Sequence, residues 1–171
     1  ILTNIATMDK VFEDINFSLF SGEVVGLAGV LGSGKESVLR AVAGVDPSIQ
    51  GIIYVNNHSA NIKSTRDAIN RGISYLPSDR KTEGILPRMS VGENITLSSL
   101  NRYCHLGIVH KSRERKTALE FAKKLQIRMP NIQSLLEYLS GGNQQKVIIA
   151  RSLCSRSKIF CFDEPTQGVD I

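Results

Sequence analysis

The feature that most constrains how this chain can fold is a glycine-rich run, G-V-L-G-S-G-K, at positions 29–35. The apolar stretch Glu23–Ala28 precedes it and predicts a buried strand, and apolar residues at helical spacing follow it from Lys35. A G-x-x-x-x-G-K loop between a strand and a helix is typical of phosphate binding, because its backbone N–H groups point inward around phosphate oxygens. The start of the helix adds partial positive charge. We therefore expect this loop to bind a nucleotide.

The residues expected to contact the nucleotide lie in this loop and in the first turn of the following helix. The lysine would bridge the terminal phosphates, and the next position usually carries Ser or Thr as a Mg²⁺ ligand. This chain has Glu36 there and a serine one place later. A carboxylate can bind Mg²⁺, but it also brings negative charge close to the phosphates. The predicted ligands are Gly29, Gly32, Ser33, Gly34, Lys35, Glu36 and Ser37, with Glu36 also a metal ligand.

A second candidate site follows the apolar stretch Ile159–Phe162, which predicts another strand. Asp163 and Glu164 come directly after it. A carboxylate at the carboxyl end of a strand suits a water-mediated contact to Mg²⁺, and a neighbouring glutamate suits polarisation of the attacking water. Taken with the phosphate-binding loop, the pair predicts Asp163 as a metal ligand and Glu164 as the catalytic residue.

Composition narrows the class of protein. The chain has 171 residues, of which 42% are hydrophobic and 22% charged, and no apolar run approaches the ~18–20 residues of a membrane span. Its start lacks a signal-peptide pattern, which predicts a soluble intracellular protein. Basic residues are scattered and tryptophan is absent, so we expect no nucleic-acid partner. Cys104, Cys154 and Cys161 lack metal or disulfide spacing and predict reduced, core-packed thiols.

Between the two sites, strand patterns alternate with helix patterns. Strands are predicted at Gly51–Val55 and Ile73–Leu76, and capping-box spacing at positions 64–67 and 90–93 predicts two helix starts. An amphipathic helix is predicted over residues 112–127. Buried strands that alternate with helices predict an α/β fold with a mainly parallel sheet.

The most specific segment is L-S-G-G-N-Q-Q-K at positions 139–146. On physical grounds it is a glycine-rich lead into a helix, whose N-terminus can bind an anion. It resembles the L-S-G-G-Q signature of ATP-binding-cassette (ABC) ATPases, in a variant similar to that of ATP-binding subunits of ribose- and galactose-type importers. The resemblance covers about residues 22–170, with three motifs in the family's order. It implies that Ser140, Gly141 and Gly142 contact nucleotide held by a sister cassette.

The resemblance also implies a fold. It predicts a single P-loop NTPase (ABC ATPase) domain with a RecA-like core at about residues 1–76 and 156–171, including an N-terminal antiparallel β part. A helical subdomain carrying the signature would span about residues 88–155. Residues 168–170 match the family's D-loop, and the family's switch histidine would follow them, so the domain is expected to be C-terminally truncated. His58, His105 and His110 precede that position and are expected at the surface.

Two further implications concern particular segments. In this family a further strand separates the strands predicted at Val24–Ala28 and Ile159–Phe162, so both are expected to lack that neighbour here. The run P-S-D-R-K at positions 77–81 is similar to the corresponding loop in the second cassette of sugar importers. Ser78 is a departure from that loop, because most cassettes have glutamine at this position and second sugar cassettes usually have glutamate.

The resemblance implies a transport ATPase that uses ATP and Mg²⁺ to energise uptake of a carbohydrate or related solute. Its partners would be a sister cassette in the same polypeptide, membrane permease subunits and, indirectly, a periplasmic or extracellular solute-binding protein. It would lie on the cytoplasmic face of the inner membrane. Two alternatives remain open. Glu36 and Ser78 favour a regulatory cassette with little turnover, and a soluble ABC ATPase outside transport is disfavoured by the N-Q-Q variant at 143–145.

Overall fold

The computed structural model describes residues 2–7, 13–30, 32–46 and 49–166 of the chain. It divides into two compact units, residues 1–73 and residues 74–171. The first unit contains a four-stranded sheet with two helices, and the second contains a helical core with shorter strands. The subdomain boundaries expected from the resemblance, near residues 76, 88 and 155, stay predictions.

The sheet of the first unit consists of β1 Leu2–Thr7, β2 Ile15–Phe17, β3 Ile49–Val55 and β4 His58–Ala60. It is antiparallel, with strand order β2-β1-β3-β4. Asn56 and Asn57 join β3 to β4, and both have positive φ, 52° and 63°, as a two-residue hairpin of type I′ requires. Ile53 pairs with Ala60 and both side chains are buried. The predicted antiparallel β part is therefore confirmed.

The two helices of the first unit begin where the sequence predicts. Helix α1 spans Lys35–Val42 and follows the glycine-rich loop directly. Helix α2 spans Thr65–Asn70, and Ser64 caps it by accepting a hydrogen bond from the Asp67 N–H at 3.2 Å. The carboxylate of Asp67 accepts from the Ser64 hydroxyl at 2.8 Å, which satisfies the polar groups at this helix start.

The buried strand predicted at Glu23–Ala28 is wrong for this structure. The backbone is irregular over residues 23–30, and the side chain of Val24 is 95% exposed. Among the described residues no strand pairs with this segment. An apolar run forms a strand only where a neighbour satisfies its backbone N–H and C=O groups, so the missing pairing accounts for the difference.

In the second unit the two predicted strands at its edges are confirmed. β5, Ile73–Leu76, and β8, Ile159–Phe162, form a two-stranded sheet. The predicted mainly parallel arrangement stays a prediction. A second small sheet is a hairpin of β6, Cys104–His105, and β7, Ile108–Val109. A π-helical turn, Arg80–Gly84, follows β5.

Three helices pack around the hydrophobic core of the second unit. They are α3 Val91–Thr96, α4 Lys111–Lys124 and α5 Gly141–Cys154, with 3₁₀ segments at Leu97–Arg102 and Leu136–Tyr138. Helix α3 begins with the predicted capping box, in which Ser90 and Glu93 bond reciprocally. The buried core consists of Leu76, Ile85, Val91, Ile95, Ala118, Ala122, Ile127, Ile132, Leu136, Leu139, Val147, Ile148, Ala150 and Cys154.

The cysteines and histidines largely have the burial that the sequence predicts. All three cysteines are free thiols; Cys154 and Cys161 are buried and Cys104 is half-buried. Burial raises the pKa of the Cys161 thiol to about 11, so it stays protonated at neutral pH. The three histidines are exposed, as expected. Within the described residues, none of the helices has the length and apolar character that crossing a membrane requires.

Candidate functional site

The glycine-rich loop leaves the start of α1 open. Gly34 is the N-cap of the helix and has φ +83°, a left-handed conformation that glycine adopts without strain. A Cβ on Gly29 would lie 2.9 Å from Ser33 Cβ, so that position has no room for a side chain. Leu31 lies outside the described residues. The first backbone N–H groups of any helix lack intrahelical partners, so this end of α1 can donate to an anion.

The first turn of α1 holds the three polar residues predicted to follow the loop. Lys35, Glu36 and Ser37 are all half-buried. Within the described residues, Glu36 makes no hydrogen bond or ion pair. An acid in the first turn is favoured by the helix dipole, which stabilises the Glu36 carboxylate at this position. The loop thus offers backbone donors, one cation and one carboxylate.

The carboxylate of Asp163 is buried and oriented by two hydroxyl groups. Its exposed fraction is 5%, and its backbone N–H donates to the Leu76 carbonyl at 2.9 Å. Ser78 Oγ donates to Oδ2 at 3.0 Å and Tyr75 Oη donates to the same oxygen at 3.2 Å. Oδ1 makes no hydrogen bond within the described part of the chain. An oriented carboxylate oxygen of this kind suits a hard cation such as Mg²⁺.

The chain turns sharply immediately after Asp163. Glu164 is exposed and has φ +44°, a conformation that non-glycine residues rarely adopt. Residues held in this region are concentrated at functional sites, where the surrounding structure holds the strain. The side chain of Gln145, on α5, donates from Nε2 to the Pro165 carbonyl at 2.9 Å. The signature helix is therefore bonded to the segment that carries Glu164.

The signature motif forms the start of α5. Ser140 is the exposed N-cap, and Gly141 and Gly142 are half-buried in the first turn. Asn143 Nδ2 donates to Ser140 Oγ at 2.8 Å, while Asn143 Oδ1 accepts from the Arg128 N–H at 2.7 Å. A serine hydroxyl both accepts and donates, so Ser140 keeps its own hydrogen to offer to a ligand. The asparagine of this signature variant therefore positions the serine.

A half-buried arginine connects α5 with the loop that contains Ser78. Arg151 donates three hydrogen bonds of 2.7 Å, from Nη1 to the Gly84 carbonyl and from Nε and Nη2 to the carbonyl and side-chain oxygens of Asn94. Burial lowers the pKa of Arg151 to about 10, so the guanidinium remains charged at neutral pH. Asn94 itself is fully buried: its Oδ1 accepts from the Leu86 N–H, and its Nδ2 donates to the Leu86 carbonyl.

These contacts bring several predicted site residues together, and they also involve residues that were not predicted to belong to the site. In the second unit the structure connects Asp163, the Glu164 segment and the signature helix. Sequence reasoning missed Tyr75 and Gln145, and it identified Ser78 only as a departure from the family pattern. The available signal for Tyr75 was its position on the strand that leads to Ser78. Residues 168–170, the predicted D-loop, lie outside the described residues.

The site also fits the donor set that Mg²⁺ takes in nucleotide-binding proteins. Within the residues that the structure describes, no group of three or more His, Cys, Asp or Glu side chains is placed to hold a metal ion. Mg²⁺ beside a nucleotide is commonly held by one or two carboxylates together with substrate phosphates. The oriented carboxylate of Asp163 matches that requirement, and a preassembled protein cage is not needed.

Comparison with known families and sequences gives consistent matches. Residues 12–167 match the family model described as ABC transporter. The chain is 42% identical over 160 residues to a protein of Geobacillus kaustophilus named as a ribose/galactose/methyl galactoside import ATP-binding protein, covering 94% of this chain and 32% of that protein. It is 39% identical to the ribose import ATP-binding protein of Clostridium tetani, covering 99% and 34%. The chain thus spans about a third of the length of these relatives.

Solved structures with the same fold are ATP-binding cassettes. One is a dimeric cassette in a post-hydrolysis state bound to ADP and Pi, with a TM-score of 0.76, 26% identity, and coverage of 99% of this chain and 74% of that one. Another is a nucleotide-free cassette from an ABC transporter, with a TM-score of 0.79, 22% identity, and coverage of 98% and 69%. The second likeness bears on the fold alone. The predicted P-loop NTPase fold is confirmed by these neighbours.

Proposed function

Since this chain belongs to the ABC transporter family, we propose that it binds and hydrolyses ATP within a subunit that energises uptake of ribose, galactose or a related solute. The observation that carries the proposal is its 42% identity, over 94% of the chain, to a protein named for sugar import. The oriented carboxylate of Asp163 and the open start of α1 support the ATP-binding part. The choice among sugars belongs to other components of such a system.

The chain's own residues would divide the work between phosphates, metal and water. The loop from Gly29 to Ser37 cradles the phosphates, and Lys35 neutralises the terminal ones. Asp163 is the residue that would hold Mg²⁺, which when bound neutralises charge developing on the phosphates. Glu164 accepts a proton from the attacking water. Tyr75 and Ser78 hold the Asp163 carboxylate in one orientation, so that it needs no rearrangement when nucleotide binds.

The signature residues would act on a second nucleotide. Ser140 and Gly142, at the start of α5, face the nucleotide bound by a sister cassette in the same polypeptide. This chain would be the second of the two cassettes, a placement supported by the resemblance of the P-S-D-R-K loop at 77–81. Membrane permease subunits and a solute-binding protein complete the system, which would operate at the cytoplasmic face of the inner membrane.

A regulatory cassette with little turnover remains the second candidate. Glu36 in the first turn of α1 favours it, and so does the departure of position 78 from the glutamine or glutamate that the family resemblance implies. ATP hydrolysis by the complete polypeptide with the sister cassette disabled separates the two functions. Turnover above that of a Glu164→Gln variant supports an active cassette, and no difference from that variant supports the regulatory one.

The transport proposal is tested by reconstitution. The complete polypeptide, its permease and its binding protein are placed in proteoliposomes, and uptake of radiolabelled ribose and galactose is followed with and without ATP. We expect ATP-dependent uptake that the Ser140→Arg variant loses, because the larger side chain blocks the signature from the phosphate. Lys63→Ala changes an exposed lysine between β4 and α2 and serves as the control. ATP hydrolysis without any ATP-dependent uptake would contradict a transport role.

A further inference from the structure

The hairpin formed by β6 and β7 carries two exposed aliphatic side chains at its tip. Leu106 is 90% exposed and Ile108 is 70% exposed. The turn residues Leu106 and Gly107 have φ of 49° and 79°, which is the pattern of a two-residue type I′ turn. The first position of such a turn favours Asn, Asp or Gly, so a leucine there is both strained and solvated. Neither the fold nor the proposed ATP site explains this choice.

The base of the same hairpin is strongly basic. His110, which follows β7, donates its backbone N–H to the Tyr103 carbonyl at 2.8 Å and so joins the hairpin to the start of α4. Beside it lies a depression of about 440 Å³ in which three cations face one carboxylate. Within the described residues, Arg113 and Lys116 make no ion pair or side-chain hydrogen bond. The lining residues are Arg102, Tyr103, Arg113, Lys116, Thr117 and Glu120.

The length of the hairpin sets how far its aliphatic tip lies from the cations at its base. Each strand residue advances the chain by about 3.4 Å, so the tip of a hairpin with two-residue strands stands roughly 7–10 Å beyond its base. Elements that bind at a membrane surface bury their apolar groups about 5–10 Å into the boundary between headgroups and acyl chains. With Leu106 and Ile108 at that depth, the cations at the base would lie level with lipid phosphates.

We propose that this basic hairpin, residues 102–120, binds the surface of a bilayer that contains anionic phospholipid. Its unpaired cations complement phosphate groups, and its two aliphatic side chains enter the apolar boundary. A protein partner fits less well, because protein interfaces centre on packed pockets, whereas these two side chains stand on a convex turn. The inference rests on the proposed position at the membrane, and it adds a direct lipid contact that is independent of ATP hydrolysis.

Vesicle binding by the complete polypeptide tests this contact. Co-sedimentation compares vesicles of phosphatidylcholine alone with vesicles that also contain phosphatidylglycerol, at low and high salt. We expect binding to the anionic vesicles only, weakened by salt. Leu106→Asn removes the leucine while placing a favoured residue in the turn, and it should weaken binding roughly tenfold. Replacing both cations, Arg113→Gln with Lys116→Gln, should weaken it by at least as much.

A matched control distinguishes a local contact from general adhesion. Lys123→Gln changes a lysine near the end of α4, outside residues 102–120, and should bind as the unaltered protein does. ATP hydrolysis in detergent should be equal in all variants, so loss of the lipid contact is distinguishable from loss of the proposed function. Failure to bind anionic vesicles, or full binding by Leu106→Asn, would overturn the proposal. A photo-crosslinker at position 106 that labels permease instead of lipid would also overturn it.

Discussion

The hydroxyl of Ser78 lies 3.0 Å from Oδ2 of Asp163 and donates a hydrogen bond to it across 85 positions of sequence. A residue that departs from the family pattern thus has a direct role in holding the predicted metal ligand. Tyr75 donates to the same oxygen from 3.2 Å, so the two hydroxyls together fix one oxygen of the carboxylate and leave the other available. This arrangement makes the loop after β5 part of the site.

The Ser78→Ala variant should need more Mg²⁺ for ATP hydrolysis. Hydrogen bonds to a charged group contribute about 1.5–3 kcal/mol, and the remaining tyrosine donor offsets part of the loss, so we expect a several-fold rise in the Mg²⁺ concentration at half-maximal rate. The measurement is ATP hydrolysis by the complete polypeptide against Mg²⁺ at saturating ATP. Ser155→Ala removes another half-buried hydroxyl, on the turn after α5, and should leave this concentration unchanged. An unchanged Mg²⁺ dependence in Ser78→Ala would contradict the role.

Arg151 should be the most sensitive position in the scaffold behind the site. Arg151→Met removes the guanidinium donor from the Gly84 and Asn94 carbonyls and from Asn94 Oδ1. Of these three acceptors, Oδ1 keeps another donor, the Leu86 N–H. Unsatisfied buried groups cost about 1–3 kcal/mol each, and we expect a loss of roughly 3–5 kcal/mol in the free energy of unfolding. Arg151→Lys should rescue little of it, because one ammonium cannot reproduce the planar fork of a guanidinium.

Urea unfolding followed by circular dichroism measures this loss. Arg115→Met, on the exposed surface of α4, is the matched control and should change the midpoint little. If Arg151→Lys is as stable as the unaltered protein, charge alone is sufficient and the hydrogen-bond geometry has no special role.

The parts of this structure that could be read from sequence are those specified locally. The capping serines Ser64 and Ser90 each bond an amide three residues away, and both helix starts were predictable from spacing alone. The glycine-rich loop followed by Lys35 likewise carries its phosphate-binding pattern within seven consecutive residues. Asp163 and Glu164 could be identified because the strand before them is apolar and short.

Contacts between distant segments could not be predicted in the same way. The bond from Tyr75 to Asp163 joins residues 88 positions apart, and no local pattern marks either as the other's partner. The apolar run Glu23–Ala28 has the composition of a strand, yet whether a strand forms depends on a neighbour that lies elsewhere in the fold. Gln145 is one of two consecutive glutamines, and its bond to Pro165 follows from the position of α5.

The capping box of α3 should make part of the stability depend on pH. The hydroxyl of Ser90, at 2.8 Å, holds the pKa of Glu93 below its ordinary 4.5, with the Ser90 N–H and Lys111 contributing further. A carboxyl whose pKa is lowered by folding stabilises the protein above its unfolded pKa and loses that contribution as pH falls through the folded value. Ser90→Ala should therefore cost about 1 kcal/mol near neutral pH and less below pH 4.5.

Unfolding midpoints measured near neutral pH and at acidic pH test this dependence. Ser112→Ala, an exposed serine on α4, is the control and should alter the midpoint at neither pH. A Ser90→Ala penalty of the same size at both pH values would show that Glu93 does not contribute to the cap.

Glu36 gives the sharpest prediction about the nucleotide, because its carboxylate occupies the first turn of α1 without a partner in the described residues. Like charges at ~4 Å cost about 1 kcal/mol in water and ~4 kcal/mol at an effective dielectric of 20. Phosphates already supply anionic ligands to Mg²⁺, so we expect repulsion to exceed any gain from metal binding. Glu36→Ser should then bind ATP at least about fivefold more tightly, both with Mg²⁺ and with chelator.

Four calorimetric titrations decide between repulsion, metal binding and a carboxylate that points to solvent. They compare the unaltered protein and Glu36→Ser, each with Mg²⁺ and each with chelator. Weaker Mg-ATP binding by Glu36→Ser, together with tighter binding of metal-free ATP, would indicate that the carboxylate binds the metal. Four equal affinities would indicate that it points to solvent. Glu36→Gln keeps the size and removes the charge, so under repulsion it should reproduce most of the gain, because that gain arises from removing the negative charge and not from adding a hydroxyl.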